Sequence, residues 1–334
     1  MRAATIRDGE ILVEEHPDPV PGAGEVLVRV RAAGLNGADM MQRRGLYPAP
    51  PGSPADIPGL ELAGVVDQLG QGAQRFAVGD RVMAIVGGGG QAELAVVHER
   101  QLMPVPAALD WPEAGGLPEV FTTAHDAIFT QAELRPGEHL LVHGGAGGVG
   151  TAAIQLAKAA GARVTATVRR EELRAQVAAF GAEVISPEGF AGGHTARGAG
   201  SGTQPAGPGR AVCPGPFDVI LELVGAPNLA ENMNALAAGG RICVIGVSAG
   251  AKAELNLLAL MAKRARIHGS TLRARPLEEK ALAARRLEHE VLPLFESDAL
   301  RVPVAETFPL DEAPAAYDRF AAGGKLGKIV LQID

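Results

Sequence analysis

Cysteine is nearly missing from this chain. Its 334 residues include two, Cys213 in a glycine-rich stretch and Cys243 inside an apolar run. Neither a disulfide framework nor a cysteine-rich metal site can be built from that pair. An excess of positive charge is missing too. With 31 Lys and Arg against 38 Asp and Glu the net charge is -7, and no block of like charge interrupts the balance. A nucleic-acid partner is therefore not expected, because phosphate contacts need a concentrated basic face. Nor is there a hydrophobic run long enough to span a bilayer, and Met1 to Asp8 lack the apolar core of a signal peptide. These absences predict a soluble cytoplasmic protein with no membrane contact.

What remains is the composition of an ordinary globular enzyme, 47% hydrophobic and 21% charged, at a length that suggests two domains. The first third reads as β-rich. Glu25 to Val30 alternates apolar and polar residues, and Leu62 to Val66, Arg81 to Val86 and Glu93 to Val97 are further short runs between Gly, Pro and Asp punctuation. Asp110 to Ala132 turns helical. Beyond Pro136 the rhythm becomes strand, glycine loop, helix, strand, with apolar runs at His139 to His143, Arg163 to Val168, Phe217 to Val224 and Arg241 to Ile245. Strands that are apolar on both faces, alternating with helices, predict a doubly wound parallel sheet, an α/β domain. Arg266 to Ser270 reads as its last strand, Pro276 to Phe295 as a charged amphipathic helix, and Lys328 to Ile333 as a closing strand. From Glu188 to Pro216 Gly, Ala, Pro, Ser and Thr dominate. That segment is expected to be a mobile surface insertion, with a functional lid as the competing reading.

The strongest chemical signal is Gly144-Gly145-Ala146-Gly147-Gly148-Val149-Gly150. Gly145, Gly147 and Gly150 satisfy G-x-G-x-x-G between a strand and a helix predicted to begin at Thr151. In this motif the first glycine allows the turn, the second lets backbone approach a pyrophosphate and the third lets helix and strand pack. Gly148 and Val149 share the loop. About twenty residues on, an acid would grip the ribose of NAD; Thr167-Val168-Arg169-Arg170 stands there instead. Two arginines suit a 2′-phosphate, so NADPH is expected, against the alternative of a solvated pair held by Glu171 and Glu172. Val224, Gly225, Gly246, Val247 and Ser248 lie at carboxyl ends of predicted strands, where ligands of such sheets gather.

Further motifs carry a family resemblance. Leu35-Asn36-x-Ala38-Asp39-Met40-x-Gln42-Arg43, Gly45-x-Tyr47-x-x-Pro50-Pro51-Gly52, Gly88-Gly89-Gly90-Gln91-Ala92, Leu117-Pro118-Glu119 with Thr123-Ala124, and Gly327-Lys328-Ile329-Val330-Leu331 are spread over both predicted domains. Outside the insertion, the chain resembles the zinc-independent quinone oxidoreductase branch of the medium-chain dehydrogenases/reductases, and within it the tumour-suppressor-inducible quinone oxidoreductases. The resemblance implies a GroES-like catalytic domain over residues 1–119 and 275–334, and a Rossmann domain over 120–274. It also implies hydride transfer from NADPH to a quinone in a cleft between them, and a homodimer formed through the Arg266 to Ser270 edge.

Zinc relatives in this superfamily use a Gly-His-Glu segment and cysteine ligands. Here the segment is Gly59-Leu60-Glu61 and the cysteines are not clustered, so no metal is expected. An enzyme without a metal Lewis acid favours acceptors that are already electrophilic, a quinone or an enone. The resemblance assigns Asn36 and Tyr47 to the catalytic cleft and to cofactor contact, Thr123 to the nicotinamide side, and Lys325 as a further cofactor contact. Ser270 to Arg273 are weaker candidates. Tyr47 is expected either to donate to the acceptor oxygen or to form an aromatic wall; Asn36 either to grip a carboxamide or ribose or to cap its loop. Asp39 is expected to brace the loop, and His125 and His143 to pack. Leu173 departs from the pattern, standing where many members carry a lysine for the 2′-phosphate, which leaves that role to Arg169, Arg170 or Arg174. The competing functions are an NADPH-dependent enoyl or alkenal reductase and a cofactor-binding structural or RNA-binding protein.

Overall fold

Two strands that the hydrophobic pattern does not mark open the chain. β1 (Arg2–Arg7) and β2 (Glu10–Glu15) form an antiparallel ribbon turning through Asp8 and Gly9, both at positive φ. The run Glu25 to Val30 lies in β3 (Glu25–Gly34), but the alternation expected there holds only in part: Val26, Val28 and Val30 are buried and Arg29 is exposed, while Leu27 on the opposite face is buried as well. Each such side chain contributes about 1.5–3 kcal/mol by leaving water. After α1 (Gly37–Arg43) come β4 (Glu61–Leu69), β5 (Arg81–Ile85), β6 (Leu94–His98) and β7 (Met103–Pro104), then α2 (Trp111–Gly116) and α3 (Pro118–His125). Asp110 caps α2 by accepting from the Glu113 N–H at 2.9 Å, and the helical stretch ends in a π-helical turn, Asp126–Gln131.

The computed structural model describes residues 1–188, 190 and 215–334. They fall into two units, Met1–Thr123 with Thr271–Asp334, and Ala124–Ser270. The second unit carries β8 (His139–Val142), α4 (Gly148–Ala159), β9 (Arg163–Thr167), α5 (Glu171–Ala178), β10 (Glu183–Ile185), β11 (Phe217–Glu222), α6 (Leu229–Ala235), β12 (Leu236–Val244), α7 (Leu257–Lys263) and β13 (Arg266–Gly269). Every pairing in its six-stranded sheet is parallel, in the order β10-β9-β8-β11-β12-β13. Counted from β8 that is 3-2-1-4-5-6, the doubly wound order, and the winding reverses between β8 and β11. The expected α/β class is therefore what the chain adopts. The insertion expected over Glu188 to Pro216 lies outside the described residues apart from Glu188, Phe190, Gly215 and Pro216.

Back in the first unit, the helix expected over Pro276 to Phe295 is two, α8 (Leu277–Glu290) and α9 (Leu292–Glu296). Pro293 explains the break, since its ring has no N–H and would collide with the carbonyl one turn earlier. β14 (Val304–Pro309), α10 (Ala313–Ala322) and β15 (Lys328–Gln332) follow. β15 joins β3 antiparallel and β14 parallel, giving a seven-stranded sheet ordered β14-β15-β3-β4-β5-β7 with β6 also on β3. The ends of β3, β4 and β15 thereby meet, which brings Gly34, Glu61 and Lys328 together.

Candidate active site and nucleotide cradle

In the first unit charged groups are packed where hydrocarbon would be expected. Glu61 opens β4 and Lys328 opens β15; the ammonium lies 2.6 Å from the Glu61 carboxylate, and both side chains are buried. Lys328 Nζ also donates to the Leu35 carbonyl and to Asn36 Oδ1, each at 2.7 Å. Asn36 Nδ2 donates to Glu61 Oε1 at 2.8 Å, and the Glu119 N–H donates to Glu61 Oε2 at 2.8 Å. Gly34 is small because the pair lies against it: a Cβ there would sit 2.9 Å from Lys328 Cε and closer still to Glu61 Oε1. Buried ions tolerate this only when every lone pair and proton is matched.

Asp39 reaches back from the first turn of α1, accepting from the Asn36 N–H at 2.8 Å and the Gly59 N–H at 3.2 Å. It braces the loop. Burial pushes its carboxyl up to about 6, against the pull of those hydrogen bonds and of Lys328 and Arg273. Glu119, on α3, is pushed up to about 7, first by burial and then by the Glu61 charge. Its Oε1 accepts from Thr123 Oγ1 at 3.3 Å, while its Oε2 is buried without a hydrogen-bond partner among the described residues.

The loop that carries Tyr47 hangs on one side chain. Arg273, itself buried, donates from Nη1 to the Tyr47 carbonyl at 2.9 Å, from Nε to the Gly87 carbonyl at 2.7 Å and from Nη2 to Gln42 Oε1 at 2.5 Å. Its guanidinium carbon lies 5.1 Å from the centroid of the Tyr47 ring, a cation–π distance. Burial raises the Tyr47 phenol above its ordinary range, so it keeps its proton at neutral pH.

Of the residues expected at the catalytic site, Asn36, Thr123 and Tyr47 all lie in the first unit. Asn36 and Thr123 share the buried network, and Tyr47 belongs to the Arg273 clamp. The Asn36 amide is engaged at both ends and the residue is the N-cap of α1, so the geometry favours its positioning role. Lys325 donates to the Gly327 carbonyl at 2.6 Å and lies 4.5 Å from the Phe320 ring centroid; burial and the neighbouring Lys328 push it down to about 7. Glu61, Lys328 and Glu119 are not among the site residues that the sequence suggests, and Arg273 is there only as one of the weaker candidates Ser270 to Arg273. For Glu61 and Lys328 the signal is a charge at the edge of an apolar strand pattern, which reads equally well as a solvated terminus; Glu119 lies in a helix and Arg273 outside any strand.

The second unit holds the glycine-rich turn. α4 begins at Gly148, with Gly147 as N-cap, three residues before the expected start at Thr151. The turn's positive φ falls on Gly144, at 71°, rather than on Gly145. Gly145 is required by packing instead, because a Cβ there would lie 2.8 Å from that of Ala166 on β9. At Gly150 a Cβ would press into Gly144 O at 2.4 Å, whereas at Gly147 it would meet nothing nearer than that same oxygen at 3.5 Å. The cradle is thus crowded beneath and open at Gly147. The first N–H groups of α4, from Gly148 through Gly150, have no carbonyl to bond within the helix and bring its positive end with them. These residues fit a dinucleotide pyrophosphate.

Just past β9, Arg169 and Arg170 are exposed; Arg170 contacts Glu172 at 3.3 Å and Arg174 donates to the Val168 carbonyl at 3.2 Å. Val224 and Gly225 follow β11, and their N–H groups donate to the Glu222 carboxylate at 2.7 and 2.8 Å. Gly246, Val247 and Ser248 follow β12, the first half-buried and the other two exposed. All the expected nucleotide residues except Asn36, Tyr47, Thr123 and Lys325 therefore gather at the carboxyl ends of β8, β9, β11 and β12. Cys243 lies within β12 with its thiol pushed up to about 12 by burial, inert at neutral pH.

Residues 148–288 match the family model described as zinc-binding dehydrogenase, and residues 22–107 the alcohol dehydrogenase GroES-like domain. The chain is 31% identical over 315 residues to the quinone oxidoreductase of Rattus norvegicus, covering 94% of this chain and 90% of that protein. The quinone oxidoreductase of Homo sapiens is 31% identical over 316 residues, with the same coverage. Among solved structures, a quinone oxidoreductase of Pseudomonas syringae pv. Tomato DC3000 superposes with a TM-score of 0.84 at 27% identity, over 99% of this chain and 100% of that one. An NAD-dependent alcohol dehydrogenase gives 0.83 at 29% identity over the whole of both.

Proposed function

The chain belongs to the medium-chain dehydrogenase/reductase superfamily as an oxidoreductase related to the quinone oxidoreductases, and from that premise we propose that it is an NADPH-dependent, metal-independent quinone reductase. The observation that carries this reading is the Glu61–Lys328 pair. Leu60 stands where the zinc relatives place a histidine, and the carboxylate beside it is already neutralised by a buried ammonium. Among the described residues no group of three His, Cys, Asp or Glu side chains is arranged to hold a metal ion.

Bound nicotinamide supplies the hydride. Gly145, Gly147, Gly148, Val149 and Gly150 hold its pyrophosphate; Arg169 and Arg170 take the 2′-phosphate; Val224, Gly225, Gly246, Val247 and Ser248 line the cofactor's remaining length. On the acceptor side Tyr47 meets the oxygen that gains negative charge, with a phenol that burial keeps protonated and Arg273 holds in place. Asn36 positions rather than reacts, and Thr123 acts through its bond to Glu119. Lys325, bound to its own turn, is assigned a lesser part in cofactor contact.

The enzyme is further proposed to be a cytoplasmic homodimer. Among the described residues β13 is an edge strand of the parallel sheet, and the preceding helix α7 leaves Leu257, Leu258 and Met261 exposed; a strand edge beside apolar side chains suits a second copy. Sedimentation across a concentration series tests this, and a concentration-independent monomer would remove it. Among the described residues no helix is long and apolar enough to cross a membrane. The function itself is tested by NADPH oxidation against a panel of ortho-quinones, enones and enoyl thioesters, together with oxidation of simple alcohols by NADP. Quinones should turn over fastest and alcohols should not react. A preference for enones would favour an alkenal reductase.

A further inference from the structure

One continuous chain of buried hydrogen bonds crosses three neighbouring strand ends of the parallel sheet. Thr167 ends β9, His143 follows β8 and Glu222 ends β11, and the order β9-β8-β11 puts the histidine between the other two. His143 Nδ1 lies 3.1 Å from Thr167 Oγ1, and Nε2 lies 2.7 Å from Asn232 Oδ1 on α6. Asn232 Nδ2 donates to Glu222 Oε2 at 2.8 Å. Glu222 Oε1 accepts the Val224 and Gly225 N–H groups, and at the far end the Gly144 N–H donates to Thr167 Oγ1 at 3.3 Å. None of the four side chains exceeds 3% exposure, so water cannot substitute for a missing partner.

Only one set of hydrogen positions satisfies this chain. Glu222 is an acceptor along its whole carboxylate, so Asn232 must turn its amide nitrogen toward it and keep Oδ1 for His143. His143 Nε2 must then carry a hydrogen. Burial holds the imidazole below its ordinary pKa, outweighing the pull of Glu222, so a neutral ring is left with a bare Nδ1. That nitrogen accepts the Thr167 hydroxyl, whose oxygen in turn accepts the Gly144 N–H. Polarity runs without conflict from the glycine turn to the Glu222 carboxylate.

We propose that Thr167, His143 and Asn232, anchored on Glu222, are positioning residues that lock the Gly144–Gly150 turn and the Val224–Gly225 loop into one register for the nicotinamide cofactor, with His143 fixed as the neutral Nε2–H tautomer. This rests on the dinucleotide reading of the cradle. The same hub extends to the loop after β12, because the Glu222 carbonyl accepts the Ile245 and Gly246 N–H groups at 2.9 and 3.1 Å. Loops that share one buried hub cannot drift independently, which is the condition for gripping both ends of a long ligand.

Thr167→Val is nearly isosteric and removes the hydroxyl; Thr167→Ser restores it. NADPH affinity is read by fluorescence titration, with melting curves to confirm that each variant is folded. The valine variant should bind about tenfold more weakly, with kcat at saturating cofactor within about twofold of the parent, and the serine variant should stay within about threefold of the parent's affinity. Asn232→Asp, which sets an acceptor against Glu222, should weaken binding as the valine does. Nitrogen-15 spectra of histidine-labelled protein, with His143 identified by its loss in His143→Gln, should show a protonated Nε2 and a bare Nδ1. Unchanged affinity in Thr167→Val, equal loss in Thr167→Ser, or an Nδ1–H or doubly protonated His143 would each overturn the brace. A parent that binds neither NADPH nor NADH would instead overturn the dinucleotide reading, and the brace's role with it.

Discussion

Lys328 Nζ lies 2.6 Å from Glu61 Oε1, with the two side chains at 2% and 0% exposure, at the starts of two strands that both border β3. Nothing but the mutual fit of these charges and their hydrogen bonds offsets the cost of removing them from water. Lys328→Met should therefore destabilise the protein by about 3–5 kcal/mol, because Glu61 is left buried and unpaired. In a unit of this size that is roughly 10 °C in Tm. Combining it with Glu61→Gln should recover more than half of the loss. Thermal unfolding of the two single variants and the double variant measures the coupling; additive losses would show that the pair is not interacting as described.

Tyr47 and Arg273 divide the work of the acceptor side differently. Tyr47→Phe should lower turnover by roughly tenfold to a thousandfold with little change in cofactor affinity if the phenol donates to the acceptor in the transition state. Arg273→Lys cannot reproduce the three-way grip on Gly87, Gln42 and Tyr47, and should chiefly raise the KM for quinone. Steady-state kinetics and stopped-flow hydride transfer separate the two effects. An unchanged rate in Tyr47→Phe would leave the tyrosine as a wall.

Glu119 supplies a pH test. Its carboxyl is raised from 4.5 to about 7 in the folded chain, so between those values the folded state holds a proton that the unfolded state has lost. Stability from this group is present below about pH 4.5 and is lost as pH rises through about 7. Glu119→Gln carries no such loss. Relative to the parent, the variant should gain on the order of 2 kcal/mol on going from about pH 4.5 to about pH 8. Asp39, raised from 3.8 to about 6, titrates in both proteins, and its charge is the smallest of the causes of the Glu119 shift. Melting curves across that range check the sign, and a constant difference would place Glu119 in a more polar setting.

Replacing Arg169 and Arg170 together by alanine should weaken NADPH by roughly tenfold or more and leave NADH nearly unchanged, as expected for charge-assisted contacts to a 2′-phosphate. Both side chains are exposed, and Arg170 already touches Glu172. Titration of each cofactor against the double variant decides the matter; equal losses would return the pair to solvent.

The parts of this molecule legible in its sequence are those encoded locally. Gly145, Gly147 and Gly150 act within one turn between a strand and a helix, and the strands on either side announce themselves by continuous apolar runs. The doubly wound parallel class follows from the same rhythm, whereas the order of the strands comes from the structure. The helix break at Val291 was also encoded, in Pro293, but the amphipathic pattern on either side ran through it. The Glu61–Lys328 pair was not legible, because its partners come from opposite ends of the first unit and only the pairing of β15 with β3 and of β3 with β4 brings them together. Arg273 is similar: its three acceptors are scattered over Gln42, Tyr47 and Gly87, and no local pattern links them. His143 looked like a packing residue, and it is packed; only the sheet order reveals which strand ends it ties.

Reduction of quinones by NADPH without metal is checked on one preparation assayed in two ways. Protein dialysed against a strong chelator is submitted to elemental analysis, and its NADPH-dependent quinone reduction is measured before and after addition of zinc. A metal-independent enzyme should carry well under about one-tenth of a zinc ion per chain, with undiminished turnover and no response to added zinc. Activity that disappears with the chelated metal and returns with zinc would contradict it, and would require a ligand set that Leu60 and the Glu61–Lys328 pair do not supply.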